Sequence, residues 1–247
     1  MKSRYLIIGL FICFDLFAQQ IDDRYVLSGG IAHIGNGQVI DNSTIIIDKG
    51  KIVAIGPAES VIINKKRAQV YDITGKHVYP SFILPNTTLG LVEIDAVRAT
   101  RDHRETGEIN SNVRTQTAYN TESVVVSTVR TNGILLAQVT PRGGLISGTS
   151  SIMKLDGWNW EDATYYKDDG LHINWPEDYH QNYWGHSHDF TSGSGSEHDD
   201  GDKDIKLNVD KLVQFFDEAR QYHLLPNKKT DLKLEALKEV FSGTQNL

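Results

Sequence analysis

The sequence predicts an α/β protein, in which a module of short strands leads into a strand–helix–strand unit of a parallel sheet or barrel. Three observations predict it. Residues 24–80 alternate β-branched runs with tight-turn dipeptides. Residues 81–139 read as a strand, a capped helix and a second strand. Residues 208–247 carry apolar side chains at helical spacing. The chain has 247 residues, 39% of them hydrophobic and 23% charged. That length supports a buried core, and that composition is globular.

The first residues read as an address. Lys2 and Arg4 precede an apolar run from Tyr5 to Phe14, and Ala18 supplies a small residue before Gln19. This is the layout of a secretory signal peptide over residues 1–18. The run is shorter than the ~20 residues of a membrane span. The expectation is an exported protein, periplasmic or secreted, with no membrane association after cleavage. Cys13 is the sole cysteine and falls inside this segment. The mature chain then has no disulfide and is held by packing alone.

Strands are expected over residues 25–34, 44–48, 51–55, 69–73 and 77–79. Asn36-Gly37 is a hairpin signal, since both residues tolerate positive φ. Ile45, Ile46 and Ile47 are strongly β-forming. Residues 81–84 read as a buried strand. Asn120 is the expected N-cap of a helix over 121–131, and Gly133 its stop. Residues 134–139 read as the next buried strand, completing the βαβ unit.

Residues 156–184 hold all four tryptophans, Trp158, Trp160, Trp175 and Trp184, and read as a packed lid or subunit contact. Residues 186–207 read as an acidic, His/Gly/Ser-rich mobile loop. The stretch 189–204 alone has six acidic residues against one lysine, too little apolar surface to offset its chain entropy. A helical pair closes the chain. Asn208 is the expected cap of the first helix, with Val209, Leu212, Val213 and Phe216 on its buried face. Thr230 is the expected cap of the second, with Leu234, Leu237 and Phe241 inward and Gly243 at its end.

A net charge of −7 argues against a nucleic-acid partner, whose phosphates need a basic face. Three segments carry candidate chemistry. His186-Ser187-His188, with His180, His198, Asp189 and Asp199 nearby, has donors suited to a zinc-like ion. Residues 141–150 form a Gly/Ser-rich stretch with Arg142, read as a loop able to cradle a carboxylate or phosphate of a small-molecule substrate. Its spacing matches neither a P-loop nor a nucleophile elbow. The charged run of Glu93, Asp95, Arg98, Arg101, Asp102, His103, Arg104, Glu105 and Glu108 allows a His–carboxylate pair, and reads first as a solvated face.

A β module running into Gly75-Lys76-His77-Val78-Tyr79-Pro80-Ser81-Phe82-Ile83 resembles the amidohydrolase superfamily, especially its imidazolonepropionase-like members. The resemblance extends through residues 120–140. It implies a small N-terminal β-sandwich, the composite domain, followed by the first units of an incomplete (β/α)8 TIM-like barrel. A complete barrel takes about 250 residues, more than remain after Pro80 here, so the chain reads as an N-terminal portion or a truncated product. Units lacking neighbours would expose apolar surface and favour a homo-oligomer.

The resemblance also implies a metal-dependent hydrolase acting on C–N bonds of amides or cyclic amides. Asn86 and Thr88 stand where the family's two metal-binding histidines belong. Residues two apart in a strand share a side, so these two would keep the geometry with poorer donors for a zinc-like divalent cofactor. The alternatives are a catalytically inactive binding or partner subunit and a non-functional fragment. Asn86, Thr88 and Arg142 are the candidate substrate contacts.

Overall fold

The structure, a computed structural model, describes residues 24–63, 68–176 and 199–247, with backbone alone at 199–202. The signal-like segment, Trp184 and the His186-Ser187-His188 motif lie outside the described residues. The chain divides into two compact units between Pro80 and Ser81.

The first unit is a single five-stranded sheet, where the resemblance implied a sandwich. Strands β1 (Arg24–His33), β2 (Val39–Asp48), β3 (Lys51–Pro57) and β4 (Gln69–Asp72) lie in the order β3-β2-β1-β4, and β5 (His77–Val78) also pairs with β1. All five expected strands are present. Of the two turn dipeptides that the sequence offers, Asn36-Gly37 and Lys49-Gly50, only the second makes a tight two-residue turn. Asn36-Gly37 sits in a wider loop closed by the Ile34 N–H on the Gln38 carbonyl, with positive φ at Gly35 and Gly37. The tight turn is Lys49-Gly50, both with positive φ, between paired Asp48 and Lys51. This is the backbone that a two-residue hairpin with the sheet's twist requires.

The second unit holds a four-stranded sheet in the order β6-β7-β8-β9. Strand β6 (Phe82–Thr87) and β7 (Ile134–Val139) pair in parallel, and helix α1 (Val124–Thr131) lies just before β7. This is the expected βαβ unit. Its helix is capped by Ser123, whose side chain accepts from the Val126 N–H, rather than by Asn120. The Asn120 carboxamide instead accepts from the Glu122 N–H, two residues on. Gly133 ends the segment at φ 85° as expected. β6 is not the buried strand expected: Phe82 and Ile83 are 71% and 59% exposed, because β6 is an edge.

The barrel pattern stops there. Strand β8 (Ile146–Lys154) returns antiparallel to β7, and β9 (Thr164–Ile173) antiparallel to β8. A βα-barrel continuation would need a crossover and a parallel strand. Two sequence readings change with it. The stretch 141–150 is a loop only as far as Leu145, and the rest opens β8. The tryptophan-rich stretch supplies helix α2 (Trp160–Ala163) and β9 rather than a lid.

β8 shows why the sequence hid it. Residues Ile146, Ser147, Gly148, Thr149, Ser150 and Ser151 are all buried, so the strand has no polar–apolar alternation to detect. Its hydroxyls are satisfied internally. Ser150 Oγ donates to the Gly170 carbonyl, and Ser151 Oγ to Gln116 Oε1. Ser147 Oγ accepts from Asn174 Nδ2. Buried polar groups need such partners to avoid a desolvation cost.

Helix α3 (Asp199–Leu224) begins well before Asn208, which is inside it, so residues 199–207 are helical and not the mobile loop expected. Its buried face is Leu212, Phe215, Ala219 and Tyr222, while Val213 is 55% exposed. The second expected helix is two short ones, α4 (Leu232–Glu235) and α5 (Lys238–Phe241). The cap is Asp231, whose Oδ1 accepts from the Lys233 and Leu234 N–H groups, rather than Thr230.

Two apolar clusters fill this unit. One joins Leu91, Tyr119, Val126, Ala137, Val139 and Met153. The other joins Ile146 and Leu171 of the sheet to Leu212, Phe215, Leu234 and Leu237 of the helices. Leu237 is fully buried. Leu237→Ala is therefore expected to lower the unfolding free energy by about 2–5 kcal/mol in a denaturant titration. A change under ~0.5 kcal/mol, as for an exposed site, would place Leu237 outside the core.

Candidate functional site

Two of the three expected contacts come together at the carboxyl ends of β6 and β7. Arg142 Nη1 donates to Asn86 Oδ1 at 2.7 Å, and Nη2 to the Asn86 carbonyl at 2.7 Å. Thr140 Oγ1 donates to the same Oδ1 at 3.0 Å. The Asn86 N–H reaches Gln138 Oε1 at 3.1 Å. Gln138 Nε2 in turn donates to Asp169 Oδ2 on β9 at 2.5 Å. One network thus ties together three strands and the residues just beyond β7.

Thr88 does not join this network; its carbonyl accepts from the Leu91 N–H in the following turn. The expectation that positions 86 and 88 keep a shared side is overturned. Asn86 has φ 48°, and the β6–β7 register shifts between Leu84 and Thr87. Strand alternation is lost across such an irregularity. Asparagine is among the few residues that adopt this left-handed backbone readily.

His172 of β9 borders the network. Burial, and then the positive charge of Arg142, hold its imidazole below the usual histidine value, with Asp169 pulling the other way. Its Nε2 is buried without a hydrogen-bond partner among the described residues. His103 contributes through its backbone, whose carbonyl accepts the Arg142 N–H at 2.7 Å.

Within the charged run around His103, Glu93 has a structural part. Both oxygens of Glu93 are engaged, one by Asn120 Nδ2 and the other by Ser123 Oγ, which pins the start of α1. Of the tryptophans, Trp158 and Trp175 are 90% and 64% exposed.

Sequence reasoning missed Gln138, Thr140, Asp169 and His172. Asp169 and His172 had no detectable signal, because only the antiparallel return of β9 brings them beside β7. Gln138 was visible as a polar residue inside an apolar strand, and that interruption could have marked it.

The metal that the resemblance implies does not fit the residues at Asn86 and Thr88. An amide oxygen has two lone pairs, and both at Asn86 Oδ1 are already used by Arg142 and Thr140. A fixed guanidinium 2.7 Å away also opposes a divalent ion electrostatically. Among the described residues, no three His, Cys, Asp or Glu side chains are grouped to hold a metal.

No protein-family model matches the chain. No curated protein matches it either. A solved amidohydrolase from Thermotoga maritima MSB8 matches with a TM-score of 0.68 over 88% of this chain, at 16% identity. In fold, the chain resembles an amidohydrolase. It spans 55% of that protein's length. A prolidase solved with N-methylphosphonate-L-proline matches at 26% identity over 29% of this chain and 17% of its own, with a TM-score of 0.25. That local match carries no structural argument.

The depressed His172 value has a consequence for stability. The unfolded histidine titrates near 6.5, the folded one lower. Above ~6.5 both are neutral and the contribution is fully present. As pH falls through 6.5 toward the folded value, the unfolded chain takes up the proton first and stability drops. His172→Gln is expected to flatten this part of the pH–stability profile in denaturant titrations. An unchanged slope would show that the folded His172 protonates as easily as a free one.

Proposed function

We propose that this is an amidohydrolase-like protein that binds a small amide or cyclic amide at the β6–β7 strand ends, with no catalytic metal at Asn86 and Thr88. The carrying observation is the saturation of Asn86 Oδ1 by Arg142 and Thr140. A strand-end position supports a ligand site, because ligands of parallel α/β sheets bind beyond the carboxyl ends of the strands. In this reading Arg142 does two things. Two of its N–H groups hold Asn86, and the others offer charge-assisted hydrogen bonds to a carbonyl or carboxylate oxygen. His172, neutral near pH 7, supplies a partly buried imidazole nitrogen beside them. The signal-like start at Lys2 to Ala18 supports an exported, periplasmic or secreted location. Among the described residues, no helix is long and apolar enough to cross a membrane.

A second reading is C–N bond hydrolysis by a larger protein or assembly. The observation favouring it is the likeness to the Thermotoga maritima amidohydrolase, of which this chain spans 55%. In that case metal ligands would come from outside the described residues, and the Asn86 strand end would position substrate only.

Zinc analysis tests the metal-free strand end that both readings share, and an amide-hydrolysis assay separates them. Purified chain is loaded with zinc, dialysed and measured by mass spectrometry beside Asn86→Ala and Thr88→Ala. Identical zinc content in all three is expected, with no chelator-sensitive hydrolysis of simple amides or hydantoins. One equivalent of zinc in the parent that is lost in Asn86→Ala would overturn the binding reading.

A further inference from the structure

A cavity of about 370 Å³ lies where β8 and β9 meet the α4–α5 segment. Its volume is in the range of about 300–1,000 Å³ that small-molecule sites occupy. It shares no residue with the Asn86–Arg142 network, so a ligand bound in it is independent of one held at the β6–β7 strand ends.

Asp168 of β9 is in its wall. The residue is 7% exposed. One carboxylate oxygen, Oδ2, pairs with Arg114 Nη2 at 3.0 Å. The other, Oδ1, is buried and has no hydrogen-bond partner among the described residues. The backbone is also unusual, with φ 53° inside a strand, and its N–H is turned onto Ser151 Oγ. Left-handed backbone at a non-glycine residue and an unpaired buried carboxylate oxygen both oppose folding. The left-handed residue falls where the β8–β9 register shifts between Ser150 and Ile152, as in a β-bulge. The unpaired carboxylate oxygen is therefore the departure that the ladder does not need, and such departures gather at binding sites.

The other charged groups around the cavity define what would fit. Arg114 is half-exposed beyond its contact with Asp168. Lys238 and Glu239 line the α5 wall. Glu235 is already engaged by Lys228 and by the Tyr222 hydroxyl. Both contacts use Oε1 and leave Oε2 open, so the lining carries three carboxylates, Asp168, Glu235 and Glu239, and two cations, Arg114 and Lys238. Thr149 and Gln245 add neutral polar groups. A simple anion would meet Asp168 unfavourably, and a simple cation would leave Arg114 and Lys238 unused.

We propose that this cavity binds a small zwitterion of free amino-acid size. Its ammonium group pairs with the Asp168 carboxylate and also faces Glu239. Its carboxylate is held by Arg114 and Lys238, as charge-assisted pairs.

The test screens free L-amino acids, one at a time, for a rise in the melting temperature of the full chain. The best of them is then titrated calorimetrically beside its N-acetyl and C-amide forms. At about a hundred-fold excess over Kd, a rise of about 5–10 °C is expected for a chain of this size. Each blocked form is expected to bind at least ~10-fold more weakly, because one ion pair is lost. Asp168→Asn should weaken the free amino acid by a similar factor. Glu239→Gln changes an exposed side chain, so it keeps the test available if Asp168→Asn does not fold, and should weaken binding several-fold. The proposal is overturned if no free amino acid raises the melting temperature. It is equally overturned if the blocked forms bind as well as the free one, or if the folded variants bind unchanged.

Discussion

The strand-end site depends on one arginine fork closed over one asparagine. Arg142 takes both the side-chain and main-chain oxygens of Asn86, and that grip holds a left-handed residue at the end of an edge strand. With Asn86 fixed, its N–H is aimed at Gln138, and Gln138 is aimed at Asp169. Removing the fork would leave a backbone carbonyl and an amide oxygen to find new partners, and the order of three strand ends would weaken with them. The same grip decides the chemistry. A guanidinium beside Asn86 Oδ1 provides positive charge there without an ion, and uses the lone pairs that an ion would need.

Strand β8 supplies the second constraint. It runs antiparallel to both neighbours, so β9 comes back alongside it with Asp168 and Asp169 adjacent in the chain. Asp169 joins the network at β7, and Asp168 enters the cavity beside α4 and α5. The register shift opposite Ser151 and the left-handed backbone at Asp168 re-aim the chain there, which is how neighbouring aspartates serve separate places. The buried serines of β8 are accommodated because Ser147, Ser150 and Ser151 pair with Asn174, the Gly170 carbonyl and Gln116.

How much of this was legible depended on the kind of signal each element carries. β7 was read to the residue, since Ile134 to Val139 is an apolar run between a helix-stopping glycine and a loop. The isoleucines of β2 and the Lys49-Gly50 turn were equally plain. Helix α3 was misplaced at its start because acidic, glycine-containing composition argued for a loop at 199–207, while tertiary packing further along supports the helix. The antiparallel return of β8 was invisible: its buried positions are polar, and Gly143-Gly144 before it read as the head of a longer loop. At the site, Asn86 and Arg142 were named from the chain, but their partnership was not, because 56 residues separate them. Thr88 was named from the resemblance, as standing where the family's second histidine belongs, and does not join the Arg142 network; β6 ends at Thr87, just after the register shift.

The coupling between Asn86 and Arg142 is the most direct measure of this account. A double-mutant cycle with Asn86→Gly, Arg142→Ala and the pair, read by denaturant unfolding, isolates it from the separate effects of each change. Glycine accepts the left-handed backbone at position 86, so strain does not enter. The expected coupling is about 1 kcal/mol or more, as for a hydrogen bond to a charged group. Additive effects within ~0.3 kcal/mol would show that the fork does not hold the strand ends, and would contradict the account.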